Sequence, residues 1–359
     1  MGIKGLNDLI HKRAPNAYFT ISIKAFFGKR IAIDANNWMY TNMSIARKKV
    51  LARTGILYSD PHPDDVRKEW ITSVLNFIIT WIGYQITPIF VFDGIHPPEK
   101  EATKMKRKNV RLSSIHKIEQ LREQLKENST PELLEQLRKE LRNINYISID
   151  DFTFFRSLIQ DLGIPCFDAP GDGEQLCCAM ALDGRVAGVF SADTDNLVYG
   201  CPLVITKFNF KSSVPQLECI RLDRVLSGLN IDHATFVDLC IMAGCDFNTN
   251  IPNYAVVKSL KLLEEYHSID NLPATLNIEC LNHHRCRTIF SYKPTDASAN
   301  YNITTINPKI LTPLTSLGLA HYIHRIRSLY LTMNPGSDGS ISFDPVTLTK
   351  PAIRLIINY

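Results

Sequence analysis

A chain of 359 residues that is 45% hydrophobic and 21% charged has the balance of a globular protein, large enough for one broad core or a core with an appendage, and not that of a disordered or fibrous chain. The net charge of +4 permits a polyanionic partner without demanding one, because where the charge sits matters more than its sum. The longest apolar run, around Val74 to Ile82, is interrupted by Asn76 and Thr80 and is too short for a bilayer, and MGIKGL lacks the long apolar stretch of a secretory signal, so a soluble intracellular protein with no membrane partner is expected.

The nine cysteines lie mostly in apolar runs and form no CxxC pair, which reads as buried free thiols in a reducing compartment. The segment Cys280-Leu-Asn-His283-His284-Arg-Cys286 packs its ligands more tightly than zinc modules do, and a structural role is the simpler reading.

In chain order, residues 28–34 read as a short buried strand ending at Asp34, and 66–82 as a helix with one apolar face. Residues 88–93 read as a second buried strand, again ending at an acid, Asp93. Charged, helix-favouring stretches follow at 99–127 and 131–142, separated by Asn128-Ser-Thr-Pro131, with Thr130 as N-cap and Pro131 at the first helical position. A helix at 151–162, a strand and turn at 164–170 and a small-residue helix at 173–183 come next. Strands are expected at 186–193, ending at Asp193, and at 203–208. The helix at 233–243 stops at Gly244, just before Asp246, and further helices are expected at 255–266 and 319–332.

Strands that are apolar throughout and alternate with helices predict an α/β fold, a parallel sheet covered by helices on both faces. Acids at the strand ends then share the carboxyl edge of the sheet, where open α/β sheets bind their ligands. Each acid alone reads equally well as a turn residue or helix cap, Asp172 as an N-cap and Asp246 as a loop residue. Together they read differently. Asp34, Asp93 and Asp193 end three strands, and Asp172-Gly-Glu174 and Asp193-Thr-Asp195 are acid-x-acid pairs on the same edge. Crowded carboxylates repel unless a cation sits among them, and a hard divalent ion that takes oxygen ligands is the natural one. Seven carboxylates are more than one ion needs, and two ions roughly 3.5 to 4 Å apart would fit.

The blocks MGIKGLNDLI, FGKRIAIDANNWMY (27–40), PIFVFDGIHPPEK (88–100), IPCFDAPGDGEQLCCAMA (164–181), VFSADTDNLVYG (189–200) and FVDLCIMAGCDF (236–247) resemble, in order, the FEN/XPG family of structure-specific 5′ nucleases, from Met1 to about residue 265. The resemblance implies a PIN-like nuclease core with a helical arch and a mostly helical C-terminal part. It divides the chain into 1–98 and 151–270 as nuclease regions, 99–150 as the arch and 271–359 as an extension of unknown role. It implies Asp34, Asp93, Asp172, Glu174, Asp193, Asp195 and Asp246 as ligands of two Mg²⁺ ions, with Mn²⁺ as a substitute. It makes Lys100 and Arg107 the arch residues that reach the scissile phosphate, Tyr40 an aromatic that stacks on a base, and Gly2 a buried glycine close to DNA. The expected partner is branched or flapped DNA, the expected state a monomer, and the expected location the nucleus or another site of DNA replication. The local charge agrees: residues 100–117 hold Lys100, Lys104, Lys106, Arg107, Lys108, Arg111 and Lys117 against the single acid Glu101, a stripe suited to phosphate backbones.

Four departures stand out. Asp172 replaces the family's usual Glu, a shorter reach to a metal. The helix at 66–82 lacks the arginines that relatives carry near the cleavage site. The glycine hairpin of the helix–two-turn–helix is replaced by Ile251-Pro-Asn-Tyr254, leaving Lys258 and Lys261 as candidate backbone contacts. The last ~90 residues show no Gln-x-x-Leu-x-x-Phe-Phe sliding-clamp motif. A DNA-binding scaffold with a weakened site, and a related nuclease acting on RNA, are the alternative readings.

Overall fold

The computed structural model describes residues 2–55, 60–143, 147–294 and 308–333. In chain order they form α1 (Leu6–Arg13), β1 (Tyr18–Ser22), β2 (Arg30–Asp34), α2 (Ala35–Thr54), α3 (Pro63–Gly83), β3 (Thr87–Phe92), α4 (Glu101–Glu127), α5 (Pro131–Asn143), α6 (Ile149–Asp161), β4 (Cys166–Asp168), α7 (Gly173–Leu182), β5 (Val189–Phe190), α8 (Asp195–Val198), β6 (Leu203–Asn209), β7 (Gln216–Arg221), α9 (Leu222–Leu229), α10 (His233–Ala243), α11 (Val256–Tyr266), α12 (His283–Ser291), α13 (Leu311–Ser316) and α14 (His321–Met333).

The strands make one sheet in the order β1-β7-β6-β5-β2-β3-β4. The pairs from β6 through β4 are parallel, as the apolar runs predict, but β7 and β1 add an antiparallel edge, so the sheet is mixed. Alternation in the central strands feeds two cores. Ala32, Ile89 and Val91 face a layer containing α1, α7, α10 and α11, whereas Ile31, Ile33, Phe90 and Phe92 face α2, α3 and α6. Burial on both faces is why these strands are apolar at every position. From β2 the chain moves outward to β3 and β4, then returns to the other side of β2 to lay down β5 and β6. The reversal leaves a crevice at the carboxyl ends of β2 and β5, the switch point of the fold.

Residues beyond 270 complete this core. Ile289 and Phe290 of α12 join one layer, and Leu314, Ile323 and Ile326 of α13 and α14 join the other. Residues 295–307 and 334–359 of the expected extension lie outside the described residues. Among those described, no single helix is long and apolar enough to cross a membrane.

Helices α4 and α5 form the hairpin expected between β3 and β4. Thr130 caps α5 through a 3.3 Å bond from the Leu133 N–H, and Pro131 opens the helix. The far half of α4 packs Ile118, Leu121 and Leu125 on Leu137 and Leu141, a small core of its own that leans on Leu51 of α2. At about 1.5–3 kcal/mol for each large apolar side chain buried, this contact holds the hairpin tip. The near half of α4 buries none of its residues fully, and Lys106, Arg107 and Lys108 of its basic stripe are exposed.

Candidate active site

The crevice at the switch point collects the seven carboxylates. Asp34 is the last residue of β2 and is 2% exposed. It does cap α2, accepting the Asn37 N–H at 3.0 Å, but its other oxygen accepts the Ser191 hydroxyl at 3.1 Å, across the crevice from β5. Asp93 follows β3 and is held by the Gly173 N–H and the Asn36 amide, both at 2.7 Å. Asp172 occupies the N-cap position of α7 without capping it. Its oxygens go instead to His96 and to Lys100 Nζ, the latter at 2.9 Å. The capping reading is thus half right for Asp34 and wrong for the Asp172 side chain.

The Asp193 N–H is held by Ser191 Oγ at 3.2 Å, and Asp195 accepts the Ile3 N–H at 3.1 Å, which ties the N-terminal segment to the cluster. Gly2 lies directly against it, at φ +102°, where a Cβ would fall 2.2 Å from Asp193 Oδ1. Only a residue without a side chain fits there. Asp246, in the loop after α10, accepts both contacts of Arg107 Nη2, at 2.7 and 2.9 Å, and its carbonyl accepts Thr103 Oγ1 at 3.0 Å. Lys100 Nζ is 4.0 Å from the same carboxylate. The base of α4 is therefore pinned over the crevice by its own basic residues.

Electrostatics follow from this crowding. Burial and then Asp93 push the Asp34 carboxyl up to about 7, against hydrogen bonds from the Asn37 N–H and Glu174. Burial, then Asp193, Asp34 and Asp195, push Glu174 well above the usual carboxylate range, although its edge keeps some contact with solvent. Asp195 rises for the same reasons, burial first and then Asp193 and Asp246, and burial raises Asp93 and Asp193 as well. Asp172 goes the other way: burial works upward, but the His96 bond and Lys100 outweigh it and hold the carboxyl low. Burial works to lower Lys100, yet Asp172 and Glu174 more than reverse it, so the ammonium stays charged at only 16% exposure. A cluster that pushes its members toward protonation lacks positive charge, and its donors are all carboxylate oxygens. Hard divalent ions fit that set.

The remaining predicted residues spread outward. Tyr40 is 38% exposed on α2. Lys106 and Lys108 are exposed on α4, Lys104 lies 3.8 Å from Glu101, and Arg111 is half-buried. Lys258 and Lys261 stand exposed on α11, with Lys258 over the Tyr254 ring at 5.8 Å. In the loop before α11, Asn253 takes φ +67°, a left-handed conformation that asparagine tolerates better than most residues, in place of a hairpin glycine. The zinc-like segment at 280–286 resolves differently from its sequence: His283 and His284 meet Asp270, not the cysteines, and these are the described residues whose three ligand atoms all lie within 4.8 Å of one another. Asp270 also pairs with Arg287 at 2.7 Å, which grips the buried Asp238 by two 2.7 Å bonds, so the group ties α12 to α10. Sequence reasoning passed over His96, Asn36, Asn37, Thr103 and Ser191. Their signal was adjacency: each lies within four residues of a predicted functional residue.

Comparison with known proteins agrees with the geometry. The XPG N-terminal domain model matches residues 1–114 and the XPG I-region model residues 163–246. The chain is 30% identical over 284 residues to Flap endonuclease 1 of Cryptosporidium parvum, an alignment covering 76% of this chain and 56% of that protein. It is 30% identical over 337 residues to the probable RAD2-like endonuclease 369L of Invertebrate iridescent virus 6, covering 81% of this chain and 80% of the viral one. Among solved structures, flap endonuclease-1 from Methanococcus jannaschii superposes with TM-score 0.59 at 23% identity, covering 87% of this chain and 96% of that one. The catalytic core of Rad2 in complex with DNA substrate gives 0.57 at 17%, covering 92% and 100%. Both structural matches speak to the fold. The family models and the viral relative show that the chain is a divergent member of the FEN/XPG nuclease family.

Proposed function

We propose that the protein is a divalent-metal-dependent, structure-specific DNA nuclease that hydrolyses phosphodiesters at 5′ flaps or junctions. The observation that carries this reading is the crevice itself: carboxylates from both halves of the chain, with raised proton affinities, beneath a basic helix pinned at its base. Asp34, Asp93, Glu174, Asp193 and Asp195 would hold Mg²⁺, two ions by the number of donors, with Asp172 and Asp246 at the rim. Bound there, the ions supply Lewis acidity and a lowered pKa for water at neutral pH.

The chain's own residues do the rest. Asn36, Asn37, Ser191 and the Gly173 N–H fix the orientation of Asp34 and Asp93. Asp172, itself held by His96, holds Lys100 over the cluster. Lys100 and Arg107 now neutralise Asp172 and Asp246, and a phosphate arriving between the arch and the cluster competes for the same donors. Each donor aimed at the charge developing on a phosphate contributes on the order of 10²–10³ in rate. Lys104, Lys106, Lys108 and Arg111 line the arch as a path for a single strand, and Tyr40 offers a stacking face. The partition into nuclease halves at 1–98 and 151–270 with an arch at 99–150 belongs to this proposal, as do Lys258 and Lys261 as contacts to duplex backbone.

The test uses end-labelled 5′-flap, nicked, gapped and four-way DNA and a matched RNA flap, with Mg²⁺, Mn²⁺ or EDTA. Metal-dependent cutting of DNA at the single-strand/double-strand boundary, lost in Asp193→Ala, is the expected result. Binding without cutting under either metal would replace the reading by a DNA-binding scaffold, and preference for the RNA flap would move the substrate class.

A further inference from the structure

Beside the carboxylate cluster, residues of α2, α3, β5 and β6 line a groove of about 630 Å³. Its wall is continuous with the active-site crevice. Asn37 and Ser191, which orient Asp34, line both, and the Asn37 amide oxygen accepts the Ala192 N–H at 3.3 Å between them. The floor is aromatic. Phe77 of α3 meets Phe190 and Phe208 edge-on, at centroid distances of 5.2 and 5.5 Å. Phe210, 65% exposed, stacks on Phe208 at 5.3 Å with 14° between the planes, presenting its outer face to solvent. Opposite stand side-chain amides, Asn42 of α2 and Asn76 of α3. Lys49 and Lys207 reach the groove, but they are paired with Glu69 at 3.1 Å and Glu218 at 2.8 Å.

This chemistry does not suit a phosphate. It offers neutral π-faces to stack on and, for the edge of a planar, polar ring, the Asn76 amide and the Asn42 oxygen, the Asn42 Nδ2 donating to the Trp38 carbonyl at 2.8 Å. A metal site for phosphodiester chemistry lies at one end, so a strand whose backbone passes the carboxylates brings its neighbouring bases to this opening. We propose that the groove holds one unstacked nucleobase of the cut strand, adjacent to the scissile phosphate. The site rests on the nuclease reading above and extends it: α3 positions substrate through a base, where its groove-facing residues Ser73, Asn76, Phe77 and Thr80 carry no positive charge. Sequence tolerance is expected, since every base has a π-face.

A double perturbation tests this. Flap DNA carries a single abasic residue, moved one nucleotide at a time across the cut site, and single-turnover cleavage is measured for the full chain as wild type, Phe210→Ala and Phe210→Trp. Wild type should slow about tenfold when the abasic residue reaches one position. Phe210→Ala should be slowed by a similar factor on intact DNA and show no further loss at that position. Phe210→Trp should restore both rate and sensitivity. A flat scan in a wild type that cuts DNA overturns the groove site alone, as does Phe210→Ala with undiminished sensitivity. A wild type that cuts no DNA overturns the nuclease reading together with this site.

Discussion

Replacing Gly2 by alanine perturbs the cluster through one methyl group. The added carbon would lie 2.2 Å from Asp193 Oδ1 and 3.0 Å from Asp195 Oδ1 and Thr194 Oγ1, where ordinary contact begins at 3.4 Å. The far end of Asp193 must therefore retreat by about 1 Å, or the terminal segment must lift. Lifting is opposed by the buried Ile3 and by its N–H bond to Asp195. The φ of +102° adds strain of about 1–2 kcal/mol for any residue but glycine. A displacement of about 1 Å at reacting groups costs on the order of 10² in rate. Single-turnover cleavage of flap DNA at saturating Mg²⁺ should thus fall about 100-fold in Gly2→Ala. The Kd for DNA should stay within about threefold, and Tm should drop by no more than about 4 °C, because the strain is small against the whole core. Full activity in the variant would refute the placement of Gly2 against Asp193.

Three further perturbations separate catalysis from stability. Lys100→Met should lower the single-turnover rate by about 10²–10³ with a smaller change in KM, because the lost ammonium acts where charge develops. Asp34→Asn should abolish cutting yet raise the Tm of the metal-free protein at pH 7.5. With its folded value near 7 and its ordinary value 3.8, the Asp34 carboxyl contributes stability that is full below about 4 and lost as pH rises through about 7. The metal-free wild type should lose Tm across that window, followed by differential scanning fluorimetry, and Mg²⁺ should restore it in wild type more than in the variant. Arg287→Met strands the buried Asp238 and should cost about 3 kcal/mol in urea denaturation, with the cleavage rate of the remaining folded enzyme unchanged.

The strands that end in acids were legible because an apolar run followed by Asp is a strong local pattern, and the structure places all seven acids on the predicted edge. Other elements were hidden for physical reasons. The buried positions of α2, Ala35, Trp38, Met39, Met43, Ala46 and Val50, have helical spacing, but Asn36-Asn37 and a run of basic residues mask the stripe. Strands β1 and β7 form the antiparallel edge, where half-buried, mixed residues suffice and no apolar run marks them. The strand expected at 186–193 shrinks to Val189–Phe190, although Ala187 and Gly188 still exchange bonds with Arg30 and Ala32 of β2. The role of Asp172 needed three dimensions, since its partners His96 and Lys100 lie more than seventy residues away. The groove beside α3 was equally out of reach: sequence showed that the helix carries no basic residue from Glu69 onward, not that aromatic side chains from β5 and β6 met it there.

The most direct test of the account is the rate of 5′-flap cleavage against Mg²⁺ concentration, for wild type and Asp193→Ala, in single turnover. No cutting is expected in EDTA, with a rise steeper than first order in Mg²⁺ for a cluster that takes two ions, and a loss of at least 10³-fold in Asp193→Ala. Cutting that persists in EDTA, or an Asp193→Ala variant as fast as wild type, would contradict the assignment of the carboxylate crevice as the site of phosphodiester hydrolysis.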